Sequence, residues 1–127
     1  MELRDHSAQD IYKWLHKITG AASLMPEVAL LPGERMALSG HLFQEAEPFV
    51  RAVAAALAEA PELYQDVPVD PAQLLARQDR AQALRKLLAA LEVYAQRAAD
   101  WLLLEQSAAV REALAVVQQV RADDARP

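Results

Sequence analysis

Residues 70–106 read DPAQLLARQDRAQALRKLLAALEVYAQRAADWLLLEQ. This run decides the fold. It opens on Asp70-Pro71, an acid at the helix N-cap followed by proline at the first helical position. Beyond Pro71 it holds no glycine and no further proline. It is dense in Ala, Leu, Arg and Gln, the strongest intrinsic helix formers. Leucine or alanine recurs at three- and four-residue steps through Leu74, Ala81, Leu84, Leu88, Leu91, Ala95, Ala98 and Leu102. That period describes an amphipathic helix, roughly 50 Å long, packed on other helices.

Working outward, Ser107 is the cap that separates this helix, ending near Glu105, from a last helix over 108–121. Val110, Ala113, Leu114, Val117 and Val120 stripe that final helix, and 123–127 should fray. On the other side, two prolines stiffen the linker over 61–70, and Leu63, Tyr64, Val67 and Val69 pin it to the bundle. Pro48 is tolerated only in a first turn, so the helix before the linker begins near Glu45 and ends at Pro61. Its stripe is Phe49, Val50, Val53, Leu57 and Ala60. A short helix over 33–39 stops at Gly40; the alternative is one kinked helix over 33–60. Near the N-terminus, Ser7-Ala-Gln-Asp10 has capping-box spacing, with the shorter Asp in place of Glu. Ile11, Trp14, Leu15, Ile18 and Ala22 stripe the helix that follows. Gly20 weakens or closes that helix, and Pro26 ends it.

The expectation is a single all-α domain over 1–127. It is an up-down-up-down four-helix bundle with an extra short helix near 33–39, more than two-thirds helical and without strand pairing. Ile11, Leu15, Ile18, Phe49, Val53, Leu57, Leu84, Leu88, Leu91, Leu114 and Val117 are its expected core.

Composition narrows the function classes. At 127 residues the chain can bury a core without staples. It has no cysteine, which excludes disulfides, thiolate metal sites and cysteine nucleophiles. Of the 54% hydrophobic residues, 27 side chains are alanine, so the chain is less apolar than the figure suggests. No apolar run approaches the ~18 residues of a membrane span, and the first residues lack a secretory pattern. The default location is cytoplasmic. A net charge of −5 argues against nucleic-acid or anionic-membrane binding. The basic cluster Arg77, Arg80, Arg85 and Lys86 reads as a solvated face balanced by Asp79.

Leu31-Pro-Gly-Glu-Arg35, Pro48-Phe-Val50, Pro61-Glu-Leu-Tyr64 followed by Val69-Asp70, and the turn at Ser107 together resemble an uncharacterised family of small bacterial helical bundles. The family's Gly-Asp-Lys run before the Phe-Val pair is replaced here by Phe43-Gln44-Glu45. The resemblance implies an all-helical fold and no reaction, cofactor or catalytic residue.

The residues themselves carry little chemistry. His6, His16 and His41 stand at no metal-binding helical spacing, and no Glu-x-x-His occurs. The nucleophile candidates are Ser7, Thr19, Ser23, Ser39 and Ser107, with no nucleophile elbow or phosphate loop around them. Catalytic, cofactor-binding and metal sites are therefore expected to be none. Trp101-Leu102-Leu103-Leu104 is different. Four bulky apolar residues in a row circle the helix, so one stripe cannot bury them all. They are the candidate interface. The expected function is a non-enzymatic interaction or structural bundle, a homodimer or the partner of another protein. The alternative is a bundle binding a small molecule or lipid in a cavity lined by Phe43, Phe49, Tyr94 and Trp101, or an enzyme of unrecognised type.

Overall fold

The computed structural model describes residues 5–125. Helix accounts for 79% of the described residues, and no strand occurs among them. The described residues form four α-helices: α1 (Ala8–Ala22), α2 (Pro32–Ser39), α3 (Ala46–Glu59) and α4 (Pro71–Asp124). A 3-10 turn, Pro61–Leu63, follows α3. The chain divides into two compact units, one ending at Phe43 and the other beginning at Gln44.

In the first unit, α1 starts where its cap dictates. The Asp10 N–H donates to Ser7 Oγ at 3.2 Å, and the Ser7 N–H donates to Asp10 Oδ2 at 3.1 Å. Aspartate reaches far enough to close the box. The helix stops at Ala22, where Ser23 Oγ donates back to the Gly20 carbonyl at 2.6 Å. Gly20 is carried inside the last turn. In α2, the Leu31 N–H donates to Glu34 Oε1 at 3.2 Å across a proline-led first turn.

The second unit is a hairpin of unequal arms. Pro48 lies in the first turn of α3, and 41–45 are non-helical, so 33–60 holds two helices rather than one kinked one. Within this unit α3 packs on α4, burying Ala46, Ala54 and Leu57 against a face that includes Gln78. Ala54 is fully buried because its methyl group lets the two backbones approach closely. This turns α3 roughly 50° from the orientation its larger side chains suggest. Phe49 and Val53, expected inside, consequently stand exposed. The linker residues Leu63, Tyr64, Val67 and Val69 are exposed as well.

The largest departure is at Ser107. No turn forms there: α4 runs unbroken for 54 residues, roughly 80 Å. The stretch 72–126 contains neither glycine nor proline. A serine inside a helix costs only about half a kcal/mol relative to alanine, less than breaking and restarting the helix. The two expected helices are one.

The expected core changes with it. Leu57 is buried; the other ten residues named above each stand more than a third exposed. Periodicity located the apolar faces, but most of their large residues stand exposed.

Candidate functional site

The site is built on α4. With the helix continuous, the two stripes read from sequence join into one. It passes through Leu84, Leu88, Leu91, Ala95, Ala98, Leu102, Gln106, Ala109, Ala113, Val117 and Val120. Ten steps cover 36 residues, a mean of 3.6, which is the period of a straight α-helix. The stripe therefore stays on one side of α4 from end to end. Gln106 is its one polar member. The large residues along it are 44 to 64% exposed.

The α3 contact leaves this side open. It uses the part of α4 that carries Leu75, Gln78 and Gln82, roughly 140° round from the stripe. Arg51 fastens that contact, with Nε to Glu47 Oε1 at 3.0 Å and Nη2 to Asp79 Oδ1 at 2.9 Å. The hydrogen bond that Arg51 donates to Asp79, then the one it donates to Glu47, raises the Arg51 pKa. Asp79, expected to balance the basic cluster on its own helix, is thus engaged by α3. Arg77, Arg80 and Arg85 line the start of the stripe, while Glu105, Glu112, Arg121, Asp123 and Asp124 lie along its second half.

The candidate interface residues sit at the middle of α4. Trp101 is half-buried, and its indole Nε1 donates to Glu105 Oε1 at 3.1 Å. Leu102 lies on the stripe at 64% exposure; Leu103, one step round, is 68% exposed, and Leu104 is also exposed. On the opposite side, Gln96 Nε2 donates to Asp100 Oδ1 at 2.9 Å and the Arg97 guanidinium lies 5.4 Å from the Tyr94 ring centre.

The other candidates are dispersed. His6 meets Trp14 edge-on with ring centres 5.4 Å apart; His16 and His41 are exposed. Among the described residues, no three His, Asp or Glu side chains gather as a metal site. Ser7, Ser23 and Ser39 serve helix ends, each bonded to backbone three residues away. Phe49 and Tyr94, proposed cavity walls, are both 60% exposed. The Asp10 carboxyl is held below its ordinary value by the Ser7 N–H, with further help from the Ser7 hydroxyl, Lys13 and His6. No described helix is long and apolar enough to cross a membrane.

The lower half of the stripe, Ala109 to Val120, could have been assigned to the same face from sequence. The signal was the absence of any helix breaker around Ser107. No protein-family model, curated protein or solved structure matches this chain.

Proposed function

We propose that this chain is a non-enzymatic interaction protein that pairs with itself through the exposed face of α4. The observation that carries this reading is the stripe from Leu84 to Val120, open along its length. Leu84, Leu88, Leu91, Leu102, Val117 and Val120 along it each stand 44 to 64% exposed.

Energetics support the same reading. The three apolar side chains buried in the second unit offer little against a backbone ordering cost of ~1–2 kcal/mol per residue. Association supplies the missing burial. Pairing of α4 from two copies buries the stripe between them. The role is structural, in a cytoplasmic homodimer or larger assembly, and the net charge of −5 disfavours nucleic acid as the partner.

Light scattering or sedimentation at micromolar concentration tests the proposal. A dimer or larger species is expected. Leu103→Glu or Trp101→Ala should lower the mass toward monomer while helicity persists. A monomer at high concentration refutes it.

A further inference from the structure

Resting on that self-association, we infer that two copies of α4 pair antiparallel, crossing at Leu102. A stripe of period 3.6 stays straight, so two such faces meet side by side with little supercoiling. Only their relative direction remains to be decided, and charge decides it.

Arg77, Arg80 and Arg85 lie on or beside the stripe at the N-terminal end of α4, and all three are exposed. A parallel pair brings six arginines together within about three turns. Asp79 does not relieve them, because it points to the opposite side and holds Arg51 at 2.9 Å. Like charges in such contact are destabilising.

The antiparallel pair separates the arginines at the head of each stripe, leaving Arg85 near Arg121 of the second chain. With Leu102 facing its own copy, Arg80 falls across from Asp123 of the second chain, on the same side of the seam, with Asp124 adjacent. That end of α4 also presents its terminal carbonyls, the negative pole of the helix dipole, to the arginines.

Side-chain volume agrees. The stripe is nearly symmetric in spacing about Leu102, so Leu91 lies over Ala113 and Ala95 over Ala109. Leu91 thus meets a small residue, as close packing of two faces prefers, while Leu84 meets Val120. Gln106 lies over Ala98, and its amide extends past the methyl group toward water.

The absence of cysteine makes the test clean. Ala95→Cys and Ala109→Cys are prepared separately, checked for wild-type helicity and oxidised alone or after mixing. Facing positions on paired helices come within disulfide range. The antiparallel pair predicts disulfide dimers in the mixture and essentially none in either variant alone. Linking of each variant to itself overturns the antiparallel direction and leaves self-association standing. A dimer by light scattering that links in neither case overturns the stripe as the seam. A monomer by light scattering overturns the underlying self-association as well.

Charge reversal gives an independent readout. Arg80→Glu should weaken dimerisation roughly tenfold, and adding Asp123→Arg should restore it. In a parallel pair Arg80→Glu relieves repulsion and tightens the dimer, so tighter binding also refutes the inference.

Discussion

Leu88→Ala separates what the single chain buries from what its assembly buries. Leu88 is 58% exposed, so about two-fifths of it is covered within its own chain. The substitution removes three carbons, worth ~0.8 kcal/mol each when fully buried. Scaled by two-fifths, the loss in an isolated chain is ~1 kcal/mol. In the paired state the leucine faces a second copy, and a fully packed Leu→Ala change costs ~2–5 kcal/mol. The measured loss should therefore grow with protein concentration. The assay is urea unfolding by far-ultraviolet circular dichroism, at about 2 and about 200 micromolar, on both sides of a plausible dimerisation constant. The wild-type midpoint should rise across that range, and the variant's should rise less. A loss of ~1 kcal/mol at both concentrations, with a fixed wild-type midpoint, refutes burial by a second copy. A loss of several kcal/mol at the lower concentration refutes the exposed placement of Leu88.

Other sites test the local architecture. Ala54→Leu should destabilise by ~1–3 kcal/mol, because its methyl group is fully enclosed between α3 and α4; a neutral effect in urea unfolding would show that the helices separate without cost. Asp70→Ala should cost ~0.5–2 kcal/mol, since Asp70 Oδ1 accepts the Ala72 N–H at 3.0 Å; the loss should be absent from an Asp70→Asn variant, which keeps the acceptor. Asp10 should titrate below the ordinary aspartate value, and Ser7→Ala should move its midpoint upward by carboxylate NMR. The sign follows: with the folded pKa depressed, the cap's contribution is full above the unfolded pKa and is lost as pH falls through the folded one. Unchanged carboxylate shifts between the two proteins would show that the Ser7 hydroxyl contributes nothing to it.

The local features of this fold were legible because each is settled within a few residues. Ser7 and Asp10 close their cap across one turn, and Asp70-Pro71 fixes the start of α4 without help from the rest of the chain. The all-helical class follows from the same short-range preferences. Pro48 likewise sets the beginning of α3 by denying the chain any interior helical position there. Ser107 shows where a local signal misleads: serine is a good cap only if the helix ends, and no breaker nearby makes it end. Tertiary structure alone decided the rest. The contact at Ala54 depends on how closely two backbones approach, a quantity that ranking by side-chain size misses. The apolar faces of α1 and α4 were visible as periods of three and four. Their exposure was not, because a period records which side of a helix seeks cover and carries no information about how many neighbours one chain supplies.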